Sequence, residues 1–201
     1  MGRSTRLTDE SVCPTSTKEA AIADYLIDPG ISRFTVRAFA GGLLSGLGHN
    51  PVIGIRDFSG EARWDPAAPQ QASLRLRIRA ESLTVENDTS DKDRREMERA
   101  MQQEVLETAS YPEIVFESSA ASMNGNGRVQ IDGNLTLHGV TRSQRVPAQL
   151  AVTGDILRAF GEFSVRQTDY RIKLASVAGG ALKLKDELKF TFDIVARRKP
   201  E

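Results

Sequence analysis

Residues 129–152 read Val129-Gln130-Ile131-Asp132-Gly133-Asn134-Leu135-Thr136-Leu137-His138-Gly139-Val140-Thr141-Arg142-Ser143-Gln144-Arg145-Val146-Pro147-Ala148-Gln149-Leu150-Ala151-Val152. Val129, Ile131, Gly133, Leu135 and Leu137 alternate with polar residues, and Val146, Ala148, Leu150 and Val152 alternate again after a polar interval. A period of two puts each apolar set on one face of an extended chain, which marks two half-buried strands. His138-Gly139-Val140-Thr141 lies where the chain must turn, and Gly139 permits the conformation a tight turn demands. Pro147 cannot donate to a ladder, so it belongs at an edge, a bulge or an unpaired position.

The same alternation recurs on both sides. Leu74-Arg75-Leu76-Arg77-Ile78-Arg79-Ala80 sets Leu74, Leu76, Ile78 and Ala80 against three arginines, and Leu188, Phe190, Phe192, Ile194 and Ala196 alternate near the C-terminus. Weaker strands are expected around 25–28, 32–40, 52–64, 113–122 and 155–167, with turns at Asp28-Pro29-Gly30, Asp65-Pro66, Asn124-Gly125-Asn126-Gly127 and Gly154-Asp155. Eight or nine consecutive strands joined by short turns pair antiparallel, and one apolar face per strand requires a sandwich or a closed barrel. One helix interrupts them. Ser90 with Asp93 forms a capping box, Met97, Met101 and Val105 recur at helical spacing, and Pro112 marks the next boundary. Asp91 with Arg95 and Arg94 with Glu98 fall at i, i+4 and read as a solvated face, while the Met stripe packs on the barrel or walls an adaptable apolar pocket.

The 201 residues carry 27 Lys+Arg against 27 Asp+Glu, so the footprint of a general nucleic-acid or anionic-membrane binder is missing. Roughly a quarter of them are Leu, Ile, Val or Phe, enough for a core. No apolar run approaches the ~18 residues of a membrane helix, so stable membrane insertion is not expected. Residues 1–22 are polar and without periodicity and read as a flexible N-terminal tail ahead of one domain over 23–201. The start, Met1-Gly2-Arg3-Ser4-Thr5-Arg6, has no apolar stretch behind its basic residues, so the expected location is the cytoplasm. Cys13 is the single cysteine, which excludes an internal disulfide framework and a Cys-rich zinc site.

Convergent chemistry is scarce. There is no nucleophile elbow, zinc-protease motif or phosphate loop, and Gly41-Gly42-Leu43-Leu44-Ser45-Gly46 lacks the context of a dinucleotide fingerprint. The spacing of His49 and His138 does not support a metal site, so no metal, catalytic residue or cofactor is assigned. Asp169 and Asp186 could pair as carboxylates, although aspartates at turns and strand ends usually cap backbone N–H groups. Phe39 to Asn50 is apolar and glycine-rich between two strands, so it either plugs a barrel end or lines a mouth; Leu43, Leu44 and Leu47 would share one face of a short helical turn, with His49 at the rim. There His49 is either a satisfied structural residue or a polar contact for a ligand head group.

An eight-stranded barrel either fills its interior with side chains or holds one small ligand. The inward sets include Ala80, Gly133, Ala148 and Ala196, which leaves room for a cavity. A dry apolar cavity favours a long hydrocarbon, because each buried CH₂ contributes ~0.8 kcal/mol.

From about Asp24 to Arg197 the chain resembles the YceI-like family of lipocalin-like, polyisoprenoid-binding proteins. The resemblance rests on Tyr25-Leu26-Ile27-Asp28, Ser32-Arg33-Phe34-Thr35-Val36, Gly48-His49, Phe58-Ser59-Gly60, Ala80-Glu81-Ser82-Leu83 and Tyr111-Pro112-Glu113-Ile114-Val115-Phe116. It continues through Gly133 to Arg142, Gln167-Thr168-Asp169-Tyr170, Val177-Ala178-Gly179-Gly180 and Lys185-Asp186-Glu187-Leu188. It implies an antiparallel barrel with a helix packed on it and an elongated apolar interior for an isoprenoid chain such as a quinone tail, in a binding family without established catalytic residues, many of whose members are exported. Arg171 departs from the pattern, which usually has Gly there, and is expected to alter a turn or narrow the mouth.

The expected fold is therefore all-β, an eight-stranded antiparallel lipocalin-like barrel with one amphipathic helix packed on it. The expected role is a noncatalytic carrier of an apolar lipid, most simply a polyisoprenoid or isoprenoid quinone, with no nucleic-acid partner and a homodimer left open. Phe34, Val36, Leu76, Ile78, Phe116, Ile131, Leu135, Leu150, Phe163, Phe190 and Phe192 are expected to line the cavity, with Leu44, Leu47 and His49 near its mouth. Two other readings stay open: a barrel with a filled core that binds a partner, for instance through Arg75, Arg77 and Arg79, and an isomerase or hydrolase using His49 as general base.

Overall fold

His138 and Gly139 form a two-residue hairpin loop with φ of 51° and 69°, the mirror-image turn whose twist suits antiparallel strands. It joins two strands of a barrel. The computed structural model describes residues 22–41, 50–174, 176–177 and 182–200. Its strands are β1 (Ala23–Ile27), β2 (Arg33–Gly41), β3 (Val52–Ile55), β4 (Phe58–Trp64), β5 (Ser73–Arg79), β6 (Leu83–Val85), β7 (Glu113–Met123), β8 (Arg128–Leu137), β9 (Val140–Thr153), β10 (Ile156–Arg166), β11 (Ser176–Val177) and β12 (Leu182–Arg198). Helix α1 (Asp91–Ala100) lies between β6 and β7 and continues as a π-helical turn, Met101–Val105.

The ring runs β1-β4-β5-β7-β8-β9-β10-β12 and closes through β12 on β1. It is the expected antiparallel eight-stranded barrel. Three of its strands are broken in two: β2, β3 and β6 continue β1, β4 and β5 beyond short interruptions and pair with one another and with β12. Serines stitch the breaks. Ser32 Oγ accepts from Val195 N–H at 2.9 Å and donates to the Asp28 carbonyl at 2.7 Å, and Ser82 Oγ accepts from Asp57 N–H at 3.0 Å while donating to the Arg79 carbonyl at 2.7 Å. Ala80 accordingly lies in a 3-10 turn and not on the strand face expected for it.

The break after β5 shapes one end of the molecule. β5 pairs with β7 as far as Arg79 opposite Glu113, but β6 pairs only with β3, so its other edge would be bare. Helix α1 covers that edge. Glu98 Oε1 accepts the Val85 N–H at 2.9 Å, and Arg94 Nη1 donates to the Val85 carbonyl at 3.0 Å. These two residues are therefore not the solvated pair that their spacing suggests. They replace a neighbouring strand, because unpaired backbone groups at an edge need partners. Ser90 caps the helix as expected, accepting the Asp93 N–H at 3.1 Å.

A second opening lies between β9 and β10, whose ladder stops at Gln149 opposite Phe160. Pro147 sits just past that point and faces Gln130 of β8, so it occupies the unpaired position expected of it. At the same end, β12 bulges between Leu184 and Leu188. The bulge presents Asp186 to the 3-10 turn Gln167–Tyr170: its carboxylate accepts the Thr168 N–H at 2.9 Å, the Thr168 hydroxyl at 2.7 Å and Arg166 Nε at 3.0 Å. Asp186 is thus a cap, not half of a carboxylate pair. Arg171 ends the turn in the left-handed region at φ 59° and points to solvent, so it alters the turn as expected and does not narrow the mouth. Of the outward arginines of β5, Arg75 pairs with Glu117 at 2.9 Å and Arg79 with Asp57 at 3.2 Å. Among the described residues no helix is long and apolar enough to cross a membrane.

Replacing Glu98 by Ala leaves the Val85 N–H without its acceptor and is expected to cost about 1–3 kcal/mol. Hydrogen exchange at Val85 should accelerate far more than exchange in β8. Asp186 provides a second expectation. The Thr168 N–H, followed by the Thr168 hydroxyl and the Arg166 guanidinium, holds its carboxyl below the ordinary value of 3.8 against the opposing effect of burial. Its contribution to stability is present above the unfolded value and is lost as pH falls through the lowered folded one. Urea titrations of the wild type and of Asp186→Asn should therefore differ near neutrality and converge in acid.

Candidate functional site

Inward residues of the ring do not meet at its axis. Within the barrel body they border about 1240 Å³ of atom-free space, part of it open to solvent. Its wall is aliphatic and aromatic, apart from Arg63, Ser73, Ser118 and the indole of Trp64. A wider chamber of about 1980 Å³, its open mouth included, lies at the helix end between β2, β3, β6, α1 and β12. Ile78, Ile114, Leu137 and Phe190 line both, so these buried side chains form a waist between the two voids.

The eleven described candidate residues lie on the walls of these two spaces. Phe34, Leu76, Phe116, Ile131, Leu135, Leu150, Phe163 and Phe192 line the barrel cavity, Val36 lines the chamber, and Ile78 and Phe190 line both. Five phenylalanines form one connected wall: Phe34 meets Phe58, Phe190 and Phe192 edge-on at 6.1–6.5 Å, and Phe163 stacks on Phe190 at 4.9 Å. Leu44, Leu47 and His49 lie outside the described residues, as does Cys13.

The small inward residues act differently from the expectation. Of Ala80, Gly133, Ala148 and Ala196, only Ala196 borders the barrel cavity. At Gly133 a Cβ would come within 2.6 Å of Phe116 Cζ and 2.5 Å of the Glu117 carbonyl, so the space the glycine leaves is taken by the Phe116 ring. The Phe192 ring lies over Gly161 in the same way. Ala62, Ala72, Ala121 and Ala159 border the cavity instead. Ala121 does so because a register shift between Ser118 and Ala120 moves the inward face of β7 from even to odd positions.

Sequence reasoning placed Met97, Met101 and Val105 on the barrel or in a pocket wall; they line the chamber with Ala100 and Leu106. It missed the chamber's polar members, Asn87, Asp88, Thr89, Asp93 and Gln167. Asn87 is engaged, accepting the Val52 N–H at 2.6 Å and donating to the Asn50 carbonyl at 3.0 Å. Gln167 is only 3% exposed, and its Nε2 donates to the Lys185 carbonyl in the β12 bulge at 2.9 Å. No local pattern distinguishes Gln167 from a surface turn residue. His138 meets the Tyr170 carbonyl through Nδ1 and the Glu107 carboxylate through Nε2, each at 3.2 Å. Its ring lies 4.3 Å from that of Tyr111, which covers Gly139, so this histidine fastens the helix exit to the barrel end.

A family model described as the YceI-like domain matches residues 25–196. The chain belongs to the YceI-like family. The UPF0312 protein of Shewanella baltica strain OS155 is 31% identical over 136 residues, 67% of this chain and 66% of that protein. The UPF0312 protein of Pseudomonas savastanoi pv. phaseolicola is 30% identical over 128 residues, 63% of this chain and 62% of the relative. The match thus spans just under two thirds of these relatives' length. Among solved structures, Burkholderia cenocepacia BcnA superposes with a TM-score of 0.68 at 20% identity, covering 84% of this chain and 98% of that one. A polyisoprenoid binding domain from Saccharophagus degradans, implicated in plant cell wall breakdown, gives 0.61 at 14% identity over 89% and 100% of the two chains. These likenesses show the YceI-like barrel fold.

The ring of Phe116 cannot stay in place once residue 133 has a side chain, and the Glu117 carbonyl cannot yield. Gly133→Ala is expected to destabilise the protein by about 1–3 kcal/mol through overpacking, measured by chemical denaturation.

Proposed function

We propose that this YceI-like protein is a noncatalytic carrier of a long apolar lipid of the polyisoprenoid type, with isoprenoid quinones among the candidates. The observation that carries this reading is the pair of apolar voids, one in the barrel body and one at the helix-end mouth, that adjoin across Ile78, Ile114, Leu137 and Phe190. A chain threaded through both would exchange water for aliphatic and aromatic contacts along its length, each buried CH₂ contributing ~0.8 kcal/mol. Compact polar substrates would gain little there. The polyisoprenoid-binding domain that shares this fold supports the same ligand class, and the apolar lining of both voids favours a ligand over a partner-binding barrel with a filled core. The methionines of the helix suit a ligand of repeating irregular shape, since thioether side chains adapt to varied contours.

Native mass spectrometry of the protein incubated with a C20 or longer isoprenoid is expected to show one lipid per chain. Leu135→Asn sets an amide in the barrel wall without a partner and should reduce lipid uptake at least tenfold while circular dichroism retains the β-barrel signature. Undiminished uptake by that variant, or an apo mass under all conditions, would argue against threading through the barrel.

A further inference from the structure

Three elements that wall the chamber come together at one ring. Leu106 at the end of the helix, Leu137 at the end of β8, and Gln167 and Ile172 on either side of Tyr170 all line it. His138 follows Leu137, and its ring reaches the other two elements. Nδ1 lies 3.2 Å from the Tyr170 carbonyl and Nε2 lies 3.2 Å from the Glu107 carboxylate. A carbonyl and an ionised carboxylate only accept, so the ring satisfies both contacts only when each nitrogen carries a proton. A neutral imidazole has one N–H and one lone pair, and in either tautomer one of the two contacts becomes a meeting of lone pairs. The side chain is 10% exposed, so water does not readily replace a lost partner. The backbone adds to the demand for both contacts. Glu107 and His138 have φ of 47° and 51°, in the left-handed region that residues with a side chain enter at a cost and keep where their surroundings hold them.

Histidine is the side-chain type that changes charge between about pH 5 and 8, whereas carboxylates, phenols and guanidinium groups ordinarily do not. The other ionisable groups about this ring are of the second kind. Glu107 and Tyr111 face it from the helix exit. On the turn, Asp169 and Arg171 flank Tyr170, and from β9 Arg142 Nε donates to the Asp169 carbonyl at 3.2 Å. Burial, and after it the Asp169 carboxylate, pushes the Tyr170 phenol up. We propose that His138 is a pH-sensitive latch on the chamber. With both nitrogens protonated it ties the helix exit and the Gln167–Tyr170 turn to the β8–β9 hairpin; loss of one proton releases one of the two and lets the helix end open. Under the carrier reading above, on which this consequence rests, a bound chain is held at low pH and exchanged more readily at high pH.

The test is hydrogen exchange in the empty, full-length chain. The amides of Leu106 and Tyr111 donate to Met101 and Glu107 at the helix end, and that of Ile172 donates to Gln167 in the turn. Corrected for the intrinsic pH dependence of exchange, opening at the helix end, the turn or both is expected to rise about tenfold between about pH 5.5 and 8, as for a lost charge-assisted hydrogen bond, while β8 stays unchanged. The Glu107→Gln amide can accept from the imidazolium and can donate to Nε2 of the neutral ring, so the rise should shrink to under about twofold. His138→Asn keeps a residue that tolerates left-handed backbone and removes the titration, so opening should be high throughout and without slope. A flat wild-type profile, or a slope that survives in either variant, overturns the latch, the second outcome assigning the slope to another group such as His49. Should His138→Asn fail to fold, the wild type and Glu107→Gln decide. Release of a preloaded C20 isoprenoid should accelerate by about the same factor, and release indifferent to pH overturns the gating. If no complex forms, the carrier reading fails and the exchange profile still decides the latch.

Discussion

The pairing of Val85 with two helix side chains is the contact on which the shape of the interior depends. In an uninterrupted barrel β6 would hydrogen-bond to β7 and the wall would close over the waist. Here β6 follows β3 outward, and its free edge is satisfied by Glu98 and Arg94. A helix is broader than a strand, and its apolar stripe of Met97, Met101 and Val105 stands off from the opposite wall. The chamber is the space that results. Backbone satisfaction and the existence of the wider void are thus one arrangement, because an unpaired strand edge would either collapse onto β7 or seek another chain.

At the other side of the chamber the bulge in β12 has a comparable role. It frees the Lys185 carbonyl from the ladder with β2 and presents the Asp186 carboxylate on the same side, and both engage the Gln167–Tyr170 turn. His138 then joins that turn to the end of the helix through Tyr170 and Glu107. The mouth is therefore framed by polar contacts that hold irregular backbone, whereas the barrel body is held by phenylalanine packing and ladder hydrogen bonds. Strand glycines serve the second region: Gly133 and Gly161 let the rings of Phe116 and Phe192 lie against neighbouring backbone.

Much of the fold was legible in the sequence because a half-buried strand repeats every two residues and leaves a pattern along the chain. The strands at 74–79, 129–137 and 188–196, the hairpin at His138-Gly139 and the Ser90 cap were readable for that reason. Eleven cavity-lining residues followed from the same alternation, since the inward face of a closed barrel is its apolar face. The reading failed where local spacing had two interpretations. Arg94 and Glu98 at i, i+4 look like a surface pair, and nothing local reveals that a strand edge lies beside them. Gly133 looks like empty space until Phe116, on another strand, is known to fill it.

The sequence by itself determined the antiparallel barrel, the helix with its cap, and which residues face inward, because these depend on periodicity, turn chemistry and capping, all set within a few residues. Only the tertiary structure decided where the barrel wall opens, which small residues border empty space and which polar group faces the chamber. Those features depend on contacts between positions far apart in the chain, such as Val85 with the helix, Gly133 with Phe116, and Gln167 with Lys185. A buried amide whose partner is a bulged carbonyl 18 residues away leaves no periodic trace in the sequence.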